Sequence, residues 1–333
     1  MIADAHVDIL LELAHREHRL GQTGVFARTW LPLLEAGGVG LQVCPVFVDL
    51  ELQPEGSLRD ALRQVTALQH ALAESPDRLV AVRTRADLEA VERGERIGLM
   101  LALEGVEPFG YEVATADLFW ELGLRMAGLT WNRRNPFADG AADDGGLSGL
   151  GRRLVARFAE LGVILDLAHA SLQLFDECVE SYEGRLCVTH AGCRAVNETP
   201  RNLSDEQLRA LAARDGVFGL MLHPLTIDPV TPTISRVVDH LDHAASVIGP
   251  ERLCLGGDWT KRLHELMPAP APPDGLMPPG LAEGTTIAGL SGPEEYPALV
   301  EGLRERGWGG EQLDGLLAGN LLRFLRESLP AAA

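Results

Sequence analysis

The sequence has no excess of basic residues: 29 lysines and arginines stand against 48 acidic residues, for a formal net charge of −19. Such a chain repels phosphate backbones and anionic lipids, so neither a nucleic acid nor a membrane surface is expected as a partner. No run of about 18 or more apolar residues occurs, so no transmembrane helix is expected. The first residues, Met1–His6, lack the basic and apolar segments of a signal peptide.

Cysteine is scarce, with five residues in 333 and no spacing typical of a zinc finger. The odd number argues against a disulfide framework, and three of the five lie in apolar runs, where reduced core thiols are expected. These features predict a cytoplasmic protein. The cysteines are Cys44, Cys178, Cys187, Cys193 and Cys254.

Hydrophobic residues, by contrast, make up 46% of the chain and occur in short apolar runs that alternate with longer amphipathic segments. Eight runs lack strict alternation, as expected for parallel strands covered on both faces. Helices are predicted at Ser57–Glu74, from a capping box at Ser204–Gln207, and at Asp239–Val247 and Glu311–Leu325. The predicted strands are Ile2–Leu10, Gly40–Val48, Ile97–Leu103, Leu124–Thr130, Val163–Ala168, Arg185–Thr189, Val217–Leu222 and Arg252–Leu255.

Eight strands, each followed by a helix, favour a (β/α)₈ TIM-type barrel over an open doubly wound sheet. The length of 333 residues suits a single barrel domain covering residues 1–333. The stretch Pro268–Gly280, rich in proline, follows the last predicted strand. We interpret its surroundings, about residues 259–295, as an active-site loop rather than a linker between domains.

Histidine and carboxylate side chains recur where the predicted strands end, which is the face at which barrel enzymes carry their chemistry. His6 and Asp8 are two positions apart in the first strand, so both side chains would point to the same side. Imidazole and carboxylate bind zinc at about 2.0–2.2 Å, and a carboxylate can bridge metals about 3.5–4 Å apart. Their convergence predicts a site for two divalent metals. The further members are Glu104, His169, His190 and Asp258.

Each of these residues also has a purely structural interpretation. His169 could be a hydrogen-bonded core histidine, and Glu104 could belong to a loop turn. Independent structural explanations would have to hold at five positions together, so metal binding is the better interpretation of the set. His240 and His243 lie on a predicted helix away from the strand ends and are interpreted as packing residues. His15, His18, His70 and His264 are expected on the surface or in loops, and His223 could line a pocket.

Taken together and in order, the segments around these residues resemble the membrane dipeptidase family of amidohydrolase-like metal-dependent barrels. The resemblance covers essentially the whole chain and includes the separation of 21 residues from His169 to His190. The matching segments are Asp4-Ala5-His6-Val7-Asp8, Leu103-Glu104-Gly105, Asp166-Leu167-Ala168-His169-Ala170-Ser171, Thr189-His190, Pro200-Arg201-Asn202, Asp239-His240-Leu241-Asp242-His243, Gly256-Gly257-Asp258 and Gly319-Asn320-Leu321-Leu322-Arg323.

This resemblance implies a zinc-dependent dipeptidase with two zinc ions per chain. It implies that His6, Asp8 and Glu104 hold one zinc, and that Glu104 bridges to a second zinc held by His169 and His190. Zinc is expected from the family, whereas the ligand types alone would also accept manganese or cobalt.

The resemblance also implies how a dipeptide would be hydrolysed, and it leaves open whether a C-terminal D-residue is accepted. Asp258 matches a carboxylate that relays a proton beside a bridging hydroxide and contacts the free amine of the substrate. Arg201 matches the residue that binds the terminal carboxylate, a task that suits a guanidinium fork. A homodimer is the family expectation.

Two places depart from the family pattern. The animal enzymes have a Thr-His pair at the end of the fourth strand, and its histidine contacts the substrate carbonyl; here the chain has Thr130-Trp131-Asn132. An indole nitrogen only donates and does not titrate. We therefore expect Trp131 to wall the substrate pocket and Asn132 to be a substitute donor. The segment after Asp258 is Trp259-Thr260-Lys261, where the family commonly has a second aspartate.

Two other functions remain open from the sequence. A related hydrolase could act on N-acyl amino acids or lactones, because Arg201 argues for a substrate carboxylate but does not require a second amino acid. A non-catalytic relative could use the barrel for recognition, although the five ligand candidates and Asp258 are all present. Activity on N-blocked substrates would favour the first alternative, and a metal content near zero would favour the second.

Overall fold

In the computed structural model, which describes residues 1–268, 276, 278, 281–282 and 284–332, parallel strands form a closed barrel. The strands are β1 (Ile2–Asp4), β2 (Val39–Phe47), β3 (Leu79–Ala81), β4 (Ile97–Glu104), β5 (Met126–Gly128), β6 (Ile164–Asp166), β7 (Leu186–Ala191), β8 (Val217–Met221) and β9 (Leu253–Gly256). The barrel runs β1-β2-β4-β5-β6-β7-β8-β9 and closes because β9 pairs with β1. The predicted (β/α)₈ fold is confirmed.

The strand β3 was not predicted, and it lies outside the barrel order. Its three residues pair with Ile97–Leu99 at the start of β4, whereas β5 pairs with Ala102–Glu104 at the end of β4. The short strand therefore fills the edge of β4 that β5 does not reach. Three residues are too few for a hydrophobic pattern to reveal.

The prediction of a first strand over Ile2–Leu10 is wrong beyond Asp4. The Asp4 carboxylate accepts hydrogen bonds from the backbone N–H groups of His6 (3.0 Å) and Gly257 (2.9 Å), which turns the chain out of the strand. The first helix begins at Ile9 with Asp8 at its N-cap position. A buried strand followed closely by a buried helix gives one continuous apolar run, so periodicity alone cannot separate them.

Helices surround the barrel, and the predicted helix Ser57–Glu74 has the bounds that the structure shows. The capping box at Ser204 is also confirmed. No helix among the described residues is both long and apolar enough to cross a membrane. The helices are α1 (Ile9–His18), α2 (Val25–Thr29), α3 (Leu31–Ala36), α4 (Ser57–Glu74), α5 (Arg85–Glu92), α6 (Thr115–Glu121), α7 (Gly149–Leu161), α8 (Leu172–Ser181), α9 (Asp205–Ala213), α10 (Pro224–Ile227), α11 (Ile234–Ile248), α12 (Lys261–Leu266), α13 (Tyr296–Glu305), α14 (Gly310–Asp314) and α15 (Asn320–Ser328).

The predicted helix Asp239–Val247 lies within the longer α11, and the predicted Glu311–Leu325 corresponds to α14, α15 and the π-helical turn Gly315–Gly319 between them. The helix α15 packs its apolar face, including Phe324 and Leu325, against side chains of the barrel interior. An apolar plug therefore fills the N-terminal end of the barrel, and the polar side chains gather at the opposite end.

Alternation along the strands determines which side chains enter that opposite end. In β4, Leu99, Leu101 and Leu103 pack in the layer between the barrel and the helices, whereas Met100 and Ala102 belong to the interior cluster. Because successive strand residues face opposite sides, Glu104 falls in phase with Met100 and Ala102. Its carboxylate is thereby aimed into the open end of the barrel.

Candidate metal centre

The structure brings the predicted ligands together at the C-terminal end of the barrel. One carboxylate oxygen, Glu104 Oε1, lies 2.8 Å from His169 Nε2, 3.4 Å from His190 Nε2 and 3.7 Å from His6 Nε2. All four residues are buried. Three imidazoles from three different strand ends thus converge on one oxygen atom.

Hydrogen bonds behind His190 fix which of its nitrogens carries the proton. The Thr189 hydroxyl donates to Asp166 Oδ2 (2.5 Å) and therefore accepts from His190 Nδ1 (2.9 Å). His190 Nε2 is left with a lone pair that points into the site. A carboxylate or hydroxyl behind a metal-binding histidine commonly sets the tautomer in this way.

His169 is oriented by an equivalent arrangement. Its Nδ1–H donates a hydrogen bond to Asn132 Oδ1 at 2.7 Å, and its Nε2 accepts a hydrogen bond from Arg201 Nη2 at 3.0 Å. The His169 and His190 Nε2 atoms are 2.7 Å apart. Two lone pairs and a carboxylate oxygen directed at one another repel unless a cation lies among them. The donor set therefore fits a metal of the zinc type.

A second group of ligand atoms lies beside the first. Single atoms of His6, Asp8 and Asp258 lie within 4.8 Å of one another, and so do atoms of His6, Glu104 and His190. Among the described residues, His6 Nε2 and Asp8 Oδ1 are buried without a hydrogen-bond partner. Buried polar atoms without a partner are costly, so their presence here also fits a bound cation.

The electrostatics of the site favour the metal-binding form of the histidines. Burial, and then the charge of Arg201, lowers the pKa of His6 to about 3. Burial also lowers the pKa of His169 and of His190 well below the usual value, with neighbouring imidazoles and Arg201 adding to the effect. The three imidazoles are therefore neutral at physiological pH, and neutral imidazole is the form that binds metals.

The carboxylates show the opposite shift. Burial, followed by the charge of Asp258, raises the pKa of Asp8 well above its usual value. Burial and the charges of Asp8 and Asp258 do the same for the pKa of Glu104. Glu104 is buried, and Asp8 and Asp258 are partly buried. Three carboxylates so close together repel one another and require positive charge nearby, which Arg201 supplies in part and a metal would complete.

Asp4, for which the sequence predicted no role, holds the two loops that carry His6 and Asp258. Besides its bonds from the His6 and Gly257 backbone, it accepts a hydrogen bond from the Tyr296 hydroxyl at 2.7 Å. A Cβ atom at Gly257 would lie 2.7 Å from the Asp4 carboxylate, so only glycine permits this approach. Asp4 is fully buried, and the loops that carry His6 and Asp258 depend on it for their position.

Asp258 and His169 adopt unusual backbone conformations. Their φ angles are +47° and +64°, and among the described residues only Asp215 joins them as a non-glycine residue in this region. Such conformations are strained for L-residues and cluster at functional sites. The Asp258 N–H donates to the His6 carbonyl at 2.8 Å, which ties the two loops together. Burial raises the pKa of Asp258 to about 6, against the opposing effect of Arg201.

Arg201 is buried against the histidines. Its Nη2 contacts His169 Nε2 and also donates to the His190 carbonyl at 3.2 Å. Burial lowers the pKa of Arg201 to about 10, whereas Glu104 and other nearby carboxylates oppose this shift. The guanidinium therefore remains charged at neutral pH.

A cavity of about 500 Å³ opens above the metal centre. Trp131 and Asn132 both line it, and Asn132 does so while its Oδ1 holds His169 Nδ1. Part of the segment predicted as an active-site loop also lines the cavity, through residues of α12 and through Leu281, Ala282, Gly284 and Thr285. Within that predicted segment, residues 269–275, 277, 279, 280 and 283 lie outside the described part of the chain.

Of the remaining histidines, His240 and His243 lie away from the cavity, as predicted, and His264 does not. His240 is buried, accepts a hydrogen bond from the Cys193 N–H at 3.0 Å and donates to the Ile227 carbonyl at 3.0 Å, as a packing residue should. His243 pairs with Asp205 at 2.7 Å on the outside of the barrel. The expectation for His264 was wrong, because it lies in α12 and lines the cavity together with His223.

Comparison with known proteins places this site in a family. The profile of the family described as membrane dipeptidase (peptidase family M19) matches residues 1–267. Dipeptidase 3 of Rattus norvegicus is 28% identical over 340 residues, which cover 98% of this chain and 64% of that protein. Dipeptidase aclJ of Aspergillus oryzae is 27% identical, over 90% of this chain and 70% of that protein. The chain thus spans about two thirds of the length of these curated relatives.

The fold is also found among solved structures. A metallopeptidase from Rhodobacter sphaeroides, solved with a phosphinate mimic of the dipeptide L-Ala-D-Ala, superposes with a TM-score of 0.85. The two chains are 22% identical, and the match covers 98% of this chain and 99% of the other. With the sequence profile matching most of its length, this chain belongs to the membrane dipeptidase family, peptidase family M19.

Proposed function

We propose that this protein is a zinc-dependent dipeptidase that holds two zinc ions at the C-terminal end of its barrel. The observation that carries the proposal is the convergence of three buried, neutral imidazoles on Glu104 Oε1. One of their nitrogens, His6 Nε2, and the nearby Asp8 Oδ1 are buried without a hydrogen-bond partner among the described residues. Membership of the membrane dipeptidase family supports the same activity.

The ligand sets follow from the two groups of atoms. His6, Asp8 and Glu104 would hold one zinc, and Glu104 would bridge to a second zinc held by His169 and His190. Zinc bound at such a site makes a water molecule acidic enough to act as a nucleophile near neutral pH and polarises a carbonyl. The Nδ1 atoms of His169 and His190 are held by Asn132 and Thr189, so their Nε2 atoms face the site.

Asp258 is suited to move the proton. Its carboxylate lies in the group formed with His6 and Asp8, and burial raises its pKa to about 6. A base in this range can take a proton from the attacking water and return it to the leaving amine. When ionised, the same carboxylate would bind the ammonium group of the substrate.

Arg201 provides the complementary contact. A buried guanidinium on the rim of the cavity can bind the terminal carboxylate of a dipeptide through two hydrogen bonds. Asp258 follows β9 and Arg201 follows β7, so the two charged groups stand two strands apart around the rim. A site that binds both termini favours dipeptides over longer chains.

The test is hydrolysis of L-L and L-D dipeptides by zinc-loaded protein, with His169→Ala as the control and the zinc content measured by mass spectrometry. Cleavage by the parent alone, with about two zinc ions per chain, is expected. Two bound zinc ions without cleavage of any dipeptide would contradict the proposed activity.

N-acetylated dipeptides included in the same panel test the alternative hydrolase. The proposed role of Asp258 requires a free amine, so N-acetylation should abolish cleavage. Retained cleavage of the blocked substrates would instead assign the protein to the hydrolysis of N-acyl amino acids.

We also propose that the protein works in the cytoplasm as a homodimer. All five cysteines are buried free thiols, the state that a reducing compartment maintains. The dimer rests on the family resemblance. Light scattering of the purified protein and fractionation of source cells measure the two properties directly.

A further inference from the structure

One side of the cavity is an apolar wall made of Leu11, Phe47, Trp131 and Leu263. We propose that this wall binds the side chain of the N-terminal residue of the substrate and selects a large apolar residue there, such as leucine or phenylalanine. The proposal rests on the dipeptidase activity proposed above. It adds the chemical class of one of the two substrate residues.

The wall is assembled by the elements that also carry the metal centre. Leu11 lies in α1, within one turn of Asp8 at the N-cap position. Leu263 lies in α12, which starts at Lys261, shortly after Asp258. Phe47 is the last residue of β2, and Trp131 follows β5. The positions of the wall and of the predicted ligands are therefore coupled through short stretches of chain.

Contacts within the wall show that it is a packed surface. Leu11, Phe47 and Leu263 form one buried cluster, with exposed fractions of 8%, 3% and 6%, and Trp131 packs against it. The Phe47 and Trp131 rings meet edge to face, with centroids 5.2 Å apart. Trp131 is only partly buried, so its indole presents free apolar surface to the cavity.

The order of elements around the rim assigns the wall to the N-terminal residue. Arg201 follows β7, and Leu225 of α10 follows β8 beside it. Asp258 follows β9, and the next element along the closed barrel is β1, followed by β2. Three of the four wall residues, those of α12, α1 and β2, thus continue from Asp258 on the side away from Arg201. Trp131, which follows β5, joins the wall through its ring contact with Phe47.

This placement matters because of the covalent structure of a dipeptide. The α-carbon of the N-terminal residue is bonded to the amine, so its side chain starts next to Asp258. The α-carbon of the C-terminal residue is bonded to the carboxylate, so its side chain starts next to Arg201. An amine at Asp258 therefore directs the first side chain toward Leu11, Phe47 and Leu263.

The chemistry of the wall gives the direction of selection. Its four side chains offer no hydrogen-bond acceptor and no charge. An apolar side chain gains free energy by leaving water against this surface, and the gain grows with its area. A charged side chain would lose water and find no opposite charge in the wall, whose one polar group is the Trp131 indole N–H. The wall should therefore favour leucine and phenylalanine and disfavour aspartate.

Two substrate series test the assignment, one with the N-terminal residue varied before alanine and one with the C-terminal residue varied after alanine. The varied residues are glycine, alanine, leucine, phenylalanine and aspartate. With zinc-loaded protein, kcat/KM is expected to rise about tenfold or more from glycine to leucine in the first series and less in the second. Ratios between substrates do not depend on the fraction of protein that carries zinc.

Two leucine variants form a matched pair, because both side chains line the same cavity. Leu263→Ala is expected to lower the leucine-to-glycine ratio of the first series several-fold, whereas Leu225→Ala should preserve it. Trp131→Ala, at a partly exposed position, should also lower the leucine-to-glycine ratio of the first series. It provides the test if Leu263→Ala does not fold.

The outcomes separate this inference from the proposed function. Equal kcat/KM across the first series, or a loss of selectivity in Leu225→Ala instead of Leu263→Ala, would overturn the inference while leaving the dipeptidase activity intact. Cleavage of no dipeptide in either series would overturn the proposed function and the assignment of the wall together.

Discussion

The hydroxyl of Thr189 provides the sharpest test of how the metal centre is held. It links the buried Asp166 carboxylate to His190 Nδ1, at 2.5 Å and 2.9 Å. Thr189→Val keeps the shape of the side chain and removes both hydrogen bonds. The Thr189 backbone N–H still donates to Asp166 Oδ1 at 2.9 Å, so the pairing of the strand ends should survive.

Two effects follow, and both can be given a magnitude. A hydrogen bond to a charged group contributes ~1.5–3 kcal/mol, and a buried donor left without an acceptor costs ~1–3 kcal/mol. Because the two losses share one hydroxyl and Asp166 keeps two backbone donors, we expect a fall of about 3 kcal/mol in the free energy of unfolding of the metal-free protein. Loss of the tautomer control should weaken zinc binding about 10- to 100-fold.

The free energy of unfolding is measured by urea denaturation, and the zinc dissociation constants by competition with a fluorescent chelator. Thr226→Val is the matched control, since the buried Thr226 hydroxyl donates to the His223 carbonyl at 3.1 Å and has no other hydrogen bond within the described part of the chain. The control should lose about 1 kcal/mol of stability and keep its zinc affinity. Unchanged zinc affinity in Thr189→Val, or an equal loss in Thr226→Val, would refute the proposed control of the His190 tautomer.

The remaining predictions concern acid stability and the carboxylate contact. Burial lowers the pKa of His240 to about 4 from an ordinary value of 6.5. The unfolded chain therefore binds a proton more readily than the folded one between these two values. The stabilisation from the neutral form is fully present above pH 6.5, and about 3 kcal/mol of the free energy of unfolding is lost as the pH falls toward 4. His240→Gln should remove this part of the acid dependence in urea denaturation at pH 4 and 7, whereas His243→Gln on the same helix should retain it. Arg201→Lys should raise KM for dipeptides about tenfold or more with a smaller effect on kcat, because an ammonium cannot form the two-pronged contact. The parent should discriminate against dipeptide amides, and an Arg201→Lys variant that still did so to the same degree would show that the carboxylate binds elsewhere.

The fold could be predicted because the chain repeats one unit: an apolar run short enough to be a strand, then an amphipathic helix. Errors arose where this signal is ambiguous or too short. The apolar residues Ile9–Leu11 belong to α1 but continue the run of β1, and β3 has only three residues. Neither case could be settled without knowing which backbone groups are hydrogen-bonded.

The ligand residues could be predicted for a geometric reason. In a closed barrel all strands end on one face, so polar residues at strand ends meet there even when they lie far apart in the sequence. The residues that position them follow no such rule. Asp166 bonds to a residue 23 positions later, and Asp4 bonds to Gly257, 253 positions later. Such contacts depend on strand register, which a single sequence does not contain.

The backbone contributes a part of the site that residue types do not reveal. His169 and Asp258 have left-handed φ angles, each of which costs of order 1–3 kcal/mol and persists only where surrounding contacts enforce it. Those contacts are present: the His169 carbonyl accepts hydrogen bonds from the Ala141 N–H (2.8 Å) and the Thr130 hydroxyl (3.3 Å), and the Asp258 N–H is held by the His6 carbonyl. The imidazole and the carboxylate are thus presented from turns that the rest of the barrel keeps under strain. The same side chains on relaxed turns would point elsewhere, so the chemistry of this site depends on backbone contacts as much as on the ligands themselves.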